Sequence, residues 1–224
     1  MSDFRYEIKY VLNESQLSHI LNLIKHHGFK KHHPKRIVNS LYFEDYNFSS
    51  VKDNLSGISK RKKLRLRWYG NNTTPPFLEI KRRSGRVGNK TKITVPFKNG
   101  DEVEKMNPKE ISNFLKNKNN VGNELFLYSN LEPMLLVNYN RDYFISKEGI
   151  RITIDKKINF RSISKFNSLN LQKKFRYNKN IVEIKFPIEL KESLNTLFRK
   201  TELIPSRHSK YLVGISKLGI SSYI

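Results

Sequence analysis

The sequence reads as an α+β protein whose strands carry one charged and one apolar face, with helices set between them. Six segments alternate with period 2, which is the strand period. Other segments repeat apolar residues at helical spacing behind recognisable caps. The chain has 224 residues, with 43 Lys and Arg against 20 Asp and Glu, a formal net charge of +23. Hydrophobic residues make up 37%, too apolar for a disordered basic tail and enough for a sizeable core. Neither internal repeats nor linker-like composition interrupt it, so one domain over residues 1–224 is expected.

Taken in order, Arg5-Tyr6-Glu7-Ile8-Lys9-Tyr10 opens as a strand with Arg, Glu and Lys on one face and Tyr, Ile and Tyr on the other. Asn13-Glu14-Ser15-Gln16 is a capping box, followed by the stripe Leu17, Ile20, Leu21 and Ile24 and by Gly28 as a stop. A short helix carries Phe48, Val51 and Leu55. Leu64-Arg65-Leu66-Arg67-Trp68, Leu78-Glu79-Ile80-Lys81 and Lys90-Thr91-Lys92-Ile93-Thr94-Val95 are further alternating strands. Asn107-Pro108-Lys109-Glu110 starts a helix with a cap, a proline at its first position and an acid three residues after the cap. Residues 134–144 form a strand carrying Arg141 between Tyr139 and Tyr143. Ile150-Arg151-Ile152-Thr153-Ile154-Asp155 and Val182-Glu183-Ile184-Lys185-Phe186 complete the alternating set. A helix follows Pro187 with Leu190, Leu194, Leu197 and Phe198, and a last one spans about 207–218. Residues 99–107 and 117–123 read as polar connections, and 161–180 as a mobile loop or ragged helix.

Several function classes drop out. Zero cysteines exclude a disulfide scaffold, thiol catalysis and thiolate metal sites. No run of about 18 apolar residues suggests a membrane span, and the first residues lack a signal-peptide core. A cytoplasmic protein with a polyanionic partner is the expectation. Gly85-Arg86-Val87-Gly88-Asn89-Lys90-Thr91 only superficially resembles a phosphate loop, because no helix pattern follows, so a hairpin turn is expected. His26, His27, His32 and His33 fall at a helix end and in a basic loop, where a metal is not expected, and no His lies on the charged strand faces. Asn72-Thr73-Thr74 is an incidental glycosylation match, and Trp68 suits packing better than a nucleobase platform.

One strand with a charged face is ordinarily a solvated edge, but six sharing the pattern demand a common cause. Their apolar faces must be buried, so the charged faces either lie on an open basic sheet or are enclosed in a curled one. The acids discriminate: Glu7, Glu79 and Glu183 sit two residues from Lys9, Lys81 and Lys185 on the same faces. A surface that merely attracts nucleic acid gains nothing from them. Carboxylates among cations either neutralise their neighbours or hold a divalent metal against phosphate oxygens. Lysine outnumbers arginine about two to one overall, yet the strand faces keep Arg5, Arg65, Arg67, Arg141 and Arg151. The guanidinium fork grips phosphate bidentately, which lysine does not.

These residues resemble the VTC domain family. The resemblance rests on Arg5-Tyr6-Glu7-Ile8-Lys9-Tyr10, Leu41-Tyr42-Phe43-Glu44-Asp45, Arg65-Leu66-Arg67-Trp68-Tyr69-Gly70 and Leu78-Glu79-Ile80-Lys81. It continues through Tyr139-Asn140-Arg141, Arg151-Ile152-Thr153-Ile154-Asp155, Glu183-Ile184-Lys185 and Ser209-Lys210-Tyr211, in family order over nearly the whole chain. It implies a CYTH-like triphosphate tunnel: an antiparallel β-barrel with a charged lumen and flanking helices. It further implies a polyphosphate polymerase that draws the γ-phosphoryl group from ATP with Mn²⁺ or Mg²⁺. Carried over by motif, Arg65, Arg67, Lys81, Arg141, Arg151 and Lys210 are catalytic phosphate ligands, joined in substrate binding by Arg5, Lys9, Lys90, Lys92, Lys185 and Ser209. Glu183 is the implied metal ligand, with Glu7 beside it. Arg5 stands where the family's hydrolytic branch has the first acid of Glu-x-Glu-x-Lys, which favours the polymerase branch. A triphosphatase of the same fold and a non-catalytic module for polyphosphate or RNA are the alternatives. VTC domains can work beside membrane proteins that receive the product, so a membrane-protein partner is implied as well.

Overall fold

The structure is a computed structural model that describes residues 5–70, 75–85, 87–117, 131–199, 201 and 203–221. The side chain of Arg5, Arg86, the 72–74 glycosylation match and most of the 117–123 connection lie outside the described residues. The elements run β1 (Arg5–Leu12), α1 (Glu14–His26), β2 (Lys30–Glu44), α2 (Ser49–Leu55), β3 (Arg61–Tyr69), β4 (Phe77–Ser84) and β5 (Val87–Thr94). They continue with α3 (Gly100–Lys105), α4 (Pro108–Lys116), β6 (Glu132–Ile145), β7 (Arg151–Ser162), β8 (Lys174–Tyr177), β9 (Asn180–Pro187), α5 (Lys191–Arg199) and α6 (Lys210–Lys217). Among the described residues the hydrogen-bonded strand order is β1-β9-β7-β6-β2-β3-β4-β5, with β8 on β7. The pairs β1–β9, β7–β9, β2–β3, β3–β4 and β4–β5 are antiparallel. No helix among the described residues is long and apolar enough to cross a membrane.

The chain groups into two compact units. The first takes Met1–Arg36, Tyr139–Ile158 and Arg176–Ser209. Its core joins the even-numbered positions of β1 (Tyr10, Leu12) and β7 (Ile152, Ile154) and β9 (Val182, Ile184, Phe186) to Leu17, Ile20 and Ile24 of α1 and Leu194 and Phe198 of α5. Helix α1 begins where the sequence places it: Asn13 and Gln16 exchange side-chain and backbone hydrogen bonds in a complete capping box. The second unit takes Ile37–Asn138, Asn159–Phe175 and Lys210–Ile224. Here Leu64, Leu66, Trp68, Leu78 and Ile80 pack with Val103, Ile111 and Leu115 of α3 and α4. In both units the apolar half of each alternating strand is buried, which leaves the charged half on the opposite face.

Three expectations need correction. Residues 99–107 are not merely a connection: α3 occupies Gly100–Lys105, capped by the Asn99 side chain, which accepts from the Glu102 N–H. So short a helix gives no apolar stripe to read. Residues 161–180 are not a loose loop or ragged helix. Strand β7 runs on to Ser162 and β8 pairs with it, while a 3₁₀ turn at Leu169–Leu171 buries Leu169 completely. The Gln172 side chain organises this turn, accepting from Ser164 N–H at 2.8 Å and donating to the carbonyls of Ser164 and Asn167. Finally, His32 and His33 stand in β2, not in a loop. The exposed start of that strand, basic but for Pro34, has no alternation to betray it.

Trp68 is a core residue, 1% exposed, whose indole N–H donates to Glu104 at 3.1 Å. Gly100 approaches it so closely that a Cβ would meet Cδ1 of the indole at 2.2 Å. Gly100→Ala is therefore expected to lower stability by about 1–3 kcal/mol through overpacking, read as a shift in the urea midpoint at unchanged slope.

Candidate functional site

In the second unit the register of β3, β4 and β5 stacks charge on charge. Arg65 lies opposite Glu79, which lies opposite Lys92; one pleat on, Lys63, Lys81 and Lys90 form a row of three lysines. Glu79 is 2% exposed and pairs with Arg65, with Lys90 at 2.9 Å and with Arg67 at 3.6 Å. Burial alone would raise its pKa, but the charges of Arg65 and Arg67 and the Lys90 ammonium prevail and lower it to about 2. Lys90 is pulled down by burial and by its cationic neighbours Arg65 and Lys92, against the opposing pull of Glu79. β2 orients the arginines: Tyr42 Oη accepts from Arg65 Nη1 at 3.0 Å, and Ser40 Oγ accepts from Arg67 Nε at 3.1 Å. Glu79 thus neutralises its neighbours, and one acid serves three cations. Like charges directly opposite one another are destabilising. A multivalent anion lying over this face relieves that repulsion.

The first unit carries a different cluster. Glu7 faces Lys185 and Lys9 faces Glu183 across β1 and β9. Lys9 Nζ lies 2.7 Å from Glu7 Oε1 and 3.7 Å from Glu183 Oε2, while Lys185 Nζ lies 3.3 Å from Glu7 Oε2 and 3.0 Å from Glu183 Oε1. The four groups close a ring with no net charge. Burial raises the Glu183 pKa and Glu7 adds to that, but Lys185, Lys9 and Arg141 outweigh both and hold it below the usual range. Both lysines are raised, the two carboxylates overcoming burial. Beside the ring, Arg141 grips buried Asp155 through Nε at 2.6 Å and Nη2 at 2.8 Å. Arg151 is exposed opposite Lys185.

Among the described residues no group of three or more acid or histidine side chains could hold a metal by itself. Glu183 and Glu7 nevertheless fit Mg²⁺ or Mn²⁺. Their donors are hard oxygens, and such ions take one or two carboxylates and complete their shell with phosphate oxygens and water. Thr153, opposite Glu183 in register, adds a buried hydroxyl without a hydrogen-bond partner among the described residues.

The structure therefore gathers Arg65, Arg67, Lys81, Lys90 and Lys92 around Glu79, and Lys9, Lys185, Glu7 and Glu183 around one another, with Arg141 on Asp155 nearby. Lys210 is the first residue of α6, and Ser209 precedes it. Ser40 and Thr153 escaped sequence reasoning, since no spacing marks a lone hydroxyl. Tyr42 stood inside a quoted motif without a role. His33, in β2 and outside the six alternating segments, lies edge-on to Tyr143 at 5.4 Å, where local desolvation and then the charges of His32, Arg36 and Arg151 lower its pKa. The Gly85 segment is a hairpin, pairing Ser84 with Val87.

The sequence model of the VTC domain matches residues 4–219. This chain belongs to the VTC domain family. Solved structures agree on the fold. A candidate adenylyl cyclase from Hippeastrum, described as having a dominant triphosphatase activity, superposes with a TM-score of 0.55 at 18% identity, covering 96% of each chain. A candidate adenylate cyclase from Bacillus halodurans gives 0.55 at 13% identity, over 96% of this chain and 97% of that one. One from Vibrio parahaemolyticus gives 0.53 at 14%, over 94% and 97%. A search of curated proteins found no match. This VTC domain thus has the α+β antiparallel fold of the CYTH-like triphosphate tunnel superfamily.

Glu79 supplies a test of the charge balance in this VTC domain. Its folded pKa of about 2 lies below the ordinary 4.5, so its stabilisation is complete above pH 4.5 and is lost as pH falls from there towards 2. The shift corresponds to about 3 kcal/mol. Glu79→Gln should lower stability at pH 7 and flatten the pH dependence below 5, measured by urea unfolding across pH; an unchanged acid slope would disprove the pairing.

Proposed function

We propose that this VTC domain is a metal-dependent polyphosphate polymerase, transferring the γ-phosphoryl group of ATP to the end of a polyphosphate chain. The observation that carries the reading is the neutral ring of Glu7, Lys9, Glu183 and Lys185, which holds two carboxylates among cations on one strand face. The family membership and the cation rows of β3, β4 and β5 support it. In this reading the chain acts as a single domain.

Glu183, with Glu7 beside it, would hold Mn²⁺ or Mg²⁺, which when bound withdraws charge from non-bridging phosphate oxygens. Arg65 and Arg67, oriented by Tyr42 and Ser40, hold phosphoryl oxygens with their planar forks. Lys81, Lys90, Lys92, Lys9, Lys185, Arg151 and Lys210 add charge that compensates the spreading negative charge of the transition state. Arg5 and Ser209 complete the proposed binding set. Arg141 stays fixed on Asp155 and presents its cation from a rigid mount. The bond between γ-phosphorus and the bridging oxygen of ATP breaks, ADP leaves, and the acceptor's terminal phosphate oxygen forms the new bond. That oxygen is already anionic, so no strong general base is required, and catalysis rests on alignment and charge. Arg5 in place of a further acid argues against the hydrolytic arrangement.

Pure protein incubated with ATP and Mn²⁺ should yield ADP and long phosphate chains, resolved on a gel, and chelation of the metal should stop the reaction. Free phosphate without chains would instead establish a triphosphatase. Metal-independent binding with a steep salt slope and no turnover would establish a polyanion-binding module. Glu183→Ala should cut turnover by about 100-fold or more while tripolyphosphate binding persists or tightens; full activity in that variant would refute the metal assignment.

A further inference from the structure

Two family-like motifs, Leu41-Tyr42-Phe43-Glu44-Asp45 and Ser209-Lys210-Tyr211, supply phosphate ligands only at Ser209 and Lys210, and the second unit joins them. The Tyr211 hydroxyl donates to the Glu44 carboxylate, linking β2 to α6 across 167 residues of sequence. Both groups are buried, Glu44 at 1% and Tyr211 at 2% exposure. The other Glu44 oxygen accepts the Ser50 N–H at 2.9 Å, and Asp45 Oδ1 accepts the Ser49 N–H at 2.9 Å, so both acids tie down the start of α2. The turn between them needs Phe48 at φ 53°, ψ 41°, a left-handed conformation that residues other than glycine seldom take. Burial pushes the Glu44 carboxyl up, and burial beside Glu44 pushes the Tyr211 phenol up, so the phenol keeps its proton. The Tyr211 ring lies 5.0 Å from that of Tyr42, whose hydroxyl accepts from Arg65, and Lys63 Nζ stands 5.3 Å above the Tyr211 ring.

Holding the start of α2 occupies one Glu44 oxygen, and the bond to Tyr211 takes the other. Burying an acid costs solvation, and an apolar pair of similar volume would be cheaper. What the hydrogen bond adds is direction: it fixes the azimuth of the first turn of α6, where Lys210 precedes Tyr211 in the helix.

We infer that Glu44 and Tyr211 form a positioning latch, which sets Lys210 through the first turn of α6, so that this cation meets a phosphate chain at a fixed place. This rests on the reading of Lys210 as a phosphate ligand, and the test separates the two ideas. Tripolyphosphate dissociation constants are measured by calorimetry for Tyr211→Phe, Lys210→Ala and the double variant, each checked for folding by circular dichroism. Tyr211→Phe keeps the ring and loses the hydroxyl, and should weaken binding about tenfold. Lys210→Ala should weaken it by about tenfold or more, and adding Tyr211→Phe should then cost less than about twofold. Two losses that simply multiply would show the latch to be structural only and overturn the inference. Unaltered binding in Lys210→Ala would overturn the ligand reading and the latch with it. If Tyr211→Phe does not fold, Glu44→Gln enters the same cycle: it keeps shape and an acceptor, and should weaken binding about threefold in the parent but not in Lys210→Ala.

Discussion

Cations opposite cations are the constraint on which this molecule turns. Alternation commits one face of each strand to the core, so the charges have nowhere to go but the other face. There the register sets Lys63, Lys81 and Lys90 side by side and brings Arg65 and Arg67 towards a single buried acid. Everything that fixes these strands, from the Trp68 packing to the caps of α3 and α4, holds that repulsion in place. An anion laid over this face would offset that repulsion.

The two units resolve their charge in different ways, and the difference suits a division of labour. Around Glu79 cations are in excess, which favours a polyanion. Around Glu183 acids and lysines balance, and four ion pairs of 2.7 to 3.7 Å leave no strong preference for one partner. A balanced ring can exchange one contact for a metal contact at small net cost, whereas stripping Glu79 would leave three cations uncompensated. The contrast favours Glu183 over Glu79 as the proposed metal ligand.

Much of this was legible in the sequence because burial and strand period leave a strict mark. The six alternating segments all became strands, and the capping boxes at Asn13 and Asn107 both formed. What escaped was local or non-periodic. A six-residue helix at Gly100 has too few turns to show a stripe, and the basic start of β2 has no apolar face. Among the proposed site residues, charge points to Glu7, Glu183 and the arginines, whereas Ser40 and Thr153 offer single hydroxyls whose place depends on register. Glu44 and Tyr211 stood inside recognisable motifs, but only the fold shows that they meet.

That meeting has a consequence for biosynthesis. The bond between Glu44 and Tyr211 spans 167 residues of chain, so it closes only after Tyr211 has left the ribosome. Until then a nascent chain can pack α3 and α4 on β3 and β4 and still lack the first turn of α6. The Lys210 end of the second unit is thereby assembled only once the chain has been made past Tyr211.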